Sequence, residues 1–130
     1  MVKAGSIYEK VCTNGLSHFL EHMFFKGGTK YQTPRDVVLS LDAIGANFNA
    51  YTSDEYARYY VTCAPSFVSS AVDVLSDMLC HAAFPEPELE REKGVITQEI
   101  MMYHDDPASL VQEKWAHSYY GDNPYGRSTL

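Results

Sequence analysis

Residues 14–28 read NGLSHFLEHMFFKGG, and between Gly15 and Phe25 the one charged side chain is Glu21. His22 follows it directly and His18 stands three positions before it. Asn14 or Thr13 supplies a capping side chain and Gly27-Gly28 a stop, so the spacing predicts a helix running to about Lys26. Positions i, i+3 and i+4 share a helix face. His18, Glu21 and His22 therefore project together, and Leu16, Phe19, Leu20 and Met23 form a separate apolar stripe. An ordinary surface helix carries lysines and glutamates on its polar face. This one offers only His, Glu and His, as expected of a helix buried between a sheet and other helices.

A carboxylate and two imidazoles in apolar surroundings need partners, because an unpaired buried charge neutralises or costs several kcal/mol. A divalent metal is one such partner. Two neutral imidazoles one turn apart can both reach a zinc ion at about 2.0–2.1 Å. The intervening Glu21 then lies close enough to take a proton from a water that the metal acidifies. The same residues also permit a pair of core histidines hydrogen-bonded to each other or to Glu21. A catalytic zinc site needs a third protein ligand, and the best donor elsewhere lies in EREKGVITQEIMMYHDDP, residues 90–107. Glu92 and Glu99 are two helical turns apart and share a face. Glu99 stands in the most apolar part of that segment with no evident cation, whereas Glu92 belongs to a charged first turn, where solvation or the helix dipole would account for it.

The rest of the chain frames this helix. Val2–Tyr8 is read as a short strand that Gly5 weakens. Thr33, Pro34 and Asp36 open a second helix by a capping box, with Val37, Val38, Leu41 and Ile44 as its stripe and Gly45 as its end. ANFNAYTSDEYARYYVTCA, residues 46–64, alternates as two strands about a Ser53-Asp54 turn. After Pro65 a helix carries Phe67, Val68, Ala71, Val72, Leu75, Met78, Leu79 and Ala82 at helical spacing. Two more helices follow, from about Glu86 to Tyr103 and from Ala108 to Tyr119, and GDNPYGRSTL trails off as loop. The order gives an α+β fold, a small mainly antiparallel sheet with helices packed on one face. Three strands with two open edges suggest absent sheet partners, from a longer parent chain or another subunit, and hence self-association.

With 130 residues the chain is read as a single, partial domain. Hydrophobic content of 45% and charged content of 21% mark it as globular. A formal net charge of −7 argues against a nucleic-acid binder or a polybasic membrane anchor. No apolar run is long enough to span a membrane, and MVKAGSIYEK lacks the apolar core of a signal peptide. Cys12, Cys63 and Cys80 are odd in number without a CxxC pair, which suits reduced thiols in a cytoplasmic setting. Cys12 and Cys63 lack a paired base in the sequence, so nucleophilic catalysis carries little weight. His81 reads as a helix-terminal histidine, Asp105 or Asp106 as an N-cap before Pro107 rather than part of a metal cluster with His104, and Trp115 and His117 as lying at a packing edge.

HFLEH within residues 14–28, then GANFNAYTSDEYARYY, then EREKGVITQEIMMYHDDP together resemble the pitrilysin/insulysin metallopeptidases, the inverzincins with their HxxEH order. That family includes the mitochondrial processing peptidase β-subunits and bacterial relatives of them. The resemblance covers nearly the whole chain. It implies that His18, His22 and Glu99 bind one zinc ion, that Glu21 is the general base, and that Glu92 supports the site without touching the ion. It also implies that Asn49 and Ala50 lie on an edge strand to which an extended peptide substrate adds. Family members are longer, with two related halves that close on the substrate. This chain resembles most of the first domain of the catalytic half, and the family's substrate-gripping Arg and Tyr lie in the other half. The expectation is a zinc-dependent metalloendopeptidase module acting on extended or unfolded peptides. The alternative is a non-catalytic peptide- or partner-binding fragment of the same family, inactive without the second half.

Overall fold

A computed structural model describes residues 1–129. Five helices accompany one antiparallel hairpin: α1 (Leu16–Phe24), α2 (Pro34–Asp42), β1 (Asn47–Thr52), β2 (Ala57–Thr62), α3 (Val68–Cys80), α4 (Glu86–Asp105) and α5 (Pro107–Tyr120). The fold is α+β. β1 pairs with β2 in a register that sets Asn49 opposite Tyr60, Ala50 opposite Tyr59 and Thr52 opposite Ala57.

The expected strand Val2–Tyr8 does not form. Only Val2 pairs, in an isolated bridge to Ala57, and Ser6–Tyr8 winds into a 3-10 turn. The cause lies at Gly5, whose φ is 154°. A Cβ there would stand 2.4 Å from the carbonyl oxygens of both Ser53 and Asp54. The Ser6 hydroxyl donates to Asp54 Oδ1 (3.1 Å) and the Ile7 N–H to the Asp54 carbonyl (3.1 Å). The segment spends its hydrogen bonds on clamping the hairpin turn and has none left for a ladder.

α1 starts at Gly15, which is left-handed with φ 86°. Its first N–H groups are capped from a distance. Glu9 accepts from the Gly15 N–H (2.7 Å) and the Ser17 N–H (2.6 Å) through its two carboxylate oxygens, rather than Asn14 or Thr13 supplying the cap. The Thr33–Asp36 capping box of α2 forms as the sequence predicts. So does the Asp106 cap of α5, which accepts from the Ser109 N–H at 2.9 Å.

The core sits between α2, α3 and the hairpin. Val37 and Leu41 pack on Val74 and Met78, with Phe25, Ile44, Phe48 and Val61 around them. The stripe expected on α3 is rotated. Ala71, Val74 and Met78 are buried, whereas Phe67, Val68 and Val72 are exposed, because α3 turns its Ala71–Val74–Met78 face to α2. Asp77 is buried on that helix and accepts the N–H groups of Lys30 and Tyr31, both at 2.9 Å, fixing the loop between α1 and α2. α1 is less enclosed than its composition suggests, with Met23 and His18 buried and Leu16 exposed. It lies against the hairpin on one side and α4 on the other, and this placement builds the site.

Candidate metal centre

α1 and α4 pack so that the His18, His22 and Glu99 ligand atoms lie within 4.8 Å of one another. His22 Nε2 stands 3.2 Å from His18 Nε2 and 3.4 Å from Glu99 Oε2, and His18 Nε2 stands 3.6 Å from the same oxygen. Ligands about 2.0–2.1 Å from a tetrahedral ion stand about 3.3 Å apart. The donor set therefore has both the chemistry and the spacing that a zinc ion requires.

The orientation of His22 is set by Glu92, 3% exposed. One carboxylate oxygen lies 2.7 Å from His22 Nδ1 and the other 2.5 Å from Lys26 Nζ. Burial pushes the Glu92 carboxyl upward, but Lys26 and His22 outweigh it and hold the group below its ordinary value. An ionised carboxylate only accepts, so His22 donates to it from Nδ1, which orients the ring and turns Nε2 toward Glu99 and His18. His18 is held below its usual range by burial, with Glu99 opposing and His22 adding to the shift, which favours its neutral imidazole. Solvation does not account for Glu92, whose contacts are His22 and Lys26.

Glu21 projects from the same face of α1 and accepts a hydrogen bond from the Thr52 hydroxyl at 2.5 Å. A cleft of about 560 Å³ opens here, lined by His18, Glu21, His22, Glu99, Ala50 and Thr52 among others. Its far wall comes from α5 and the segment around Tyr125 and Arg127. Asn49 is not among the lining residues. Strand alternation turns it to the other face, where it is exposed and its Oδ1 accepts from the Ala50 N–H at 2.8 Å. The sequence reading missed Thr52. The signal available for it was its place two residues after Ala50, on the same face of an alternating strand.

All 130 residues match the model of the insulinase family, peptidase family M16. The chain belongs to the M16 family. It is 43% identical over 129 residues to an uncharacterized zinc protease, YmxG, of Bacillus subtilis, covering 99% of this chain and 31% of that protein. It is 37% identical over 129 residues to the human mitochondrial-processing peptidase subunit beta, covering 99% of this chain and 26% of that one. The chain thus spans under a third of the length of these relatives. Among solved structures, a protease from Helicobacter pylori superposes with a TM-score of 0.90 at 22% identity, over 95% of this chain and 30% of that one. A peptidase M16 inactive domain from Pseudomonas fluorescens gives 0.84 at 16% identity, over 98% and 31%. Both likenesses concern the fold.

The other titratable candidates of this M16 chain lie outside the cluster. His81 ends α3, 3.7 Å from Asp77. His104 lies in the last turn of α4, and His117 Nδ1 meets the Gly126 carbonyl at 3.3 Å. Trp115 is exposed and stacks on Tyr119. The three cysteines are free. No helix among the described residues is long and apolar enough to cross a membrane.

Proposed function

We propose that this chain is the metal-and-base portion of a zinc-dependent metalloendopeptidase acting on extended or unfolded peptides. One observation carries the reading. His22 Nε2, on a ring oriented by Glu92, faces His18 Nε2 and Glu99 Oε2 at 3.2 and 3.4 Å. Two imidazoles and a carboxylate converging at the mutual spacing of tetrahedral ligands suit zinc. His18, His22 and Glu99 hold the ion, and Glu92 orients His22 without touching it. When bound, zinc supplies Lewis acidity that lowers the pKa of a water to about 7 and polarises a peptide carbonyl. Glu21 takes the proton from the attacking water and returns it to the leaving amine. The outer edge of β1 has no paired strand among the described residues. A peptide that adds there is held by its backbone, which gives sequence-tolerant affinity. Neighbouring residues of a strand turn their backbone groups to opposite edges; Ala50, whose N–H is turned away from β2 to Asn49 Oδ1 at 2.8 Å, pairs with the peptide, and Asn49 takes part by yielding that N–H.

The short span relative to the relatives favours a second reading, a peptide- or partner-binding portion without turnover of its own. One experiment separates the two. Zinc analysis should find about one ion per chain, lost in His18→Ala and His22→Ala and kept in Glu21→Gln. In the full-length protein, cleavage of an unfolded peptide should vanish in Glu21→Gln. A wild-type protein that stays metal-free in zinc buffer refutes the metal site. Zinc and peptide binding by this 130-residue chain with no cleavage of its own leaves the second reading standing.

A further inference from the structure

We propose that Thr52 is a positioning residue for Glu21, and that through it the strand offered to the peptide also aims the base. This rests on the reading of Glu21 as general base. Thr52 Oγ1 lies 2.5 Å from Glu21 Oε2, across 31 positions of sequence. A carboxylate can only accept, so the hydroxyl donates, and a hydrogen bond to an ionised oxygen is short and strong. It is the one hydrogen bond that the Glu21 side chain makes among the described residues. With Oε2 tied, Oε1 is the oxygen left for a proton from water.

The donor is itself held in place. Thr52 ends β1 opposite Ala57, which is 3% exposed and bridged to Val2 by hydrogen bonds of 2.8 and 3.0 Å. The turn beyond it is closed by Ser53, whose N–H and hydroxyl both donate to the Tyr56 carbonyl at 2.9 and 3.0 Å. Gly5 approaches the outside of this turn too closely for any side chain. Threonine is stiff at χ1 because its Cβ is branched, so an anchored backbone fixes the direction of the hydroxyl.

Ala50 and Thr52 alternate onto the same face of β1, and both line the cleft with His18, His22 and Glu99. A peptide added along β1 is registered by the backbone of the strand that aims Glu21. The Glu21 carboxylate, carried on α1, and the added peptide are then both referred to β1, and a displacement of about 1 Å between them costs on the order of 10² in rate.

The test uses the full-length protein and the variants Thr52→Val, which is isosteric without the hydroxyl, and Thr52→Ser, which keeps it. A hydrogen bond to a charged group is worth about 10- to 100-fold. We expect Thr52→Val to lower kcat by about that factor with KM changed less than about threefold and zinc content unchanged, and Thr52→Ser to stay within about threefold of wild type. Independently of turnover, the carboxyl ¹³C resonance of Glu21 in the metal-free protein should shift in Thr52→Val and not in Thr52→Ser. Unchanged kcat in Thr52→Val, equal losses in both variants, or an unmoved resonance overturns the proposal. If Glu21→Gln itself still cleaves, the base assignment fails and the Thr52 proposal with it. If Glu21→Gln is inactive and Thr52→Val is not, only the Thr52 proposal fails.

Discussion

At the scale of the residue, Glu92 decides what His22 offers the cleft. It lies between the His22 imidazole and the Lys26 ammonium, and by accepting from Nδ1 it turns His22 Nε2 toward the cleft. Glu92→Gln retains a carbonyl that can accept from Nδ1 but loses the charge that strengthens the bond and balances Lys26. Removing such a partner of a metal-binding histidine typically costs 10- to 100-fold in affinity. Zinc affinity, measured by competition with a chelating dye, is therefore expected to fall by roughly tenfold or more in Glu92→Gln while far-ultraviolet dichroism is retained. Unaltered affinity would show that His22 needs no orienting anion. Little of this was legible in sequence. The 3.6-residue period placed His18, Glu21 and His22 on one face, and the apolar flanks of Glu99 singled it out. The local residue pattern gave Glu92 no such flag, because a carboxylate in a charged first turn is satisfied by water in most helices; only the family resemblance pointed to it. Its burial depends on α1 lying across α4, a tertiary fact that no local pattern encodes.

At the scale of the element, short-range chemistry was readable and long-range chemistry was not. Thr33, Pro34 and Asp36 cap α2 within four residues of chain, and Asp106 caps α5 within three. Glu9 caps α1 from outside the helix, and Gly5 abandons a strand in favour of the hairpin turn about 48 positions away. Such contacts leave no periodic trace. The Asp106 cap makes a pH prediction. Its carboxyl is held below the ordinary value by the Ser109 hydroxyl and then the Ser109 N–H. A depressed carboxyl stabilises the fold above the ordinary carboxylate range, and that contribution is lost as pH falls through the folded-state value. Asn caps nearly as well as Asp but does not titrate. The thermal midpoint of Asp106→Asn should therefore fall less steeply than that of wild type between about pH 5 and pH 3. Parallel slopes would mean that Asp106 does not couple ionisation to the α4–α5 junction. The junction matters to the site because α5 forms the far wall of the cleft.

At the scale of the whole molecule, apolar surface is distributed unevenly. The packed core lies between α2, α3 and the hairpin, with Met23 of α1 also fully buried, while Val68 and Val72 on α3, Met101 and Met102 on α4, and Val111 and Trp115 on α5 are all exposed. The outer edge of β1 adds unpaired backbone groups among the described residues. Unpaired edges and apolar patches of this kind are what other chains or further segments cover. The curated relatives, more than three times as long, have polypeptide enough to cover them. The 130-residue chain on its own should therefore self-associate, with a light-scattering mass above 14.6 kDa that rises with concentration. Its net charge of −7 opposes that association at low ionic strength. Raising the salt to physiological strength shortens the Debye length to about 8 Å and weakens the repulsion without weakening the apolar contacts. Association should therefore strengthen with salt, where an ion-pair interface would weaken. A mass that stays at 14.6 kDa across both series would mean that these faces are tolerated in water as they stand.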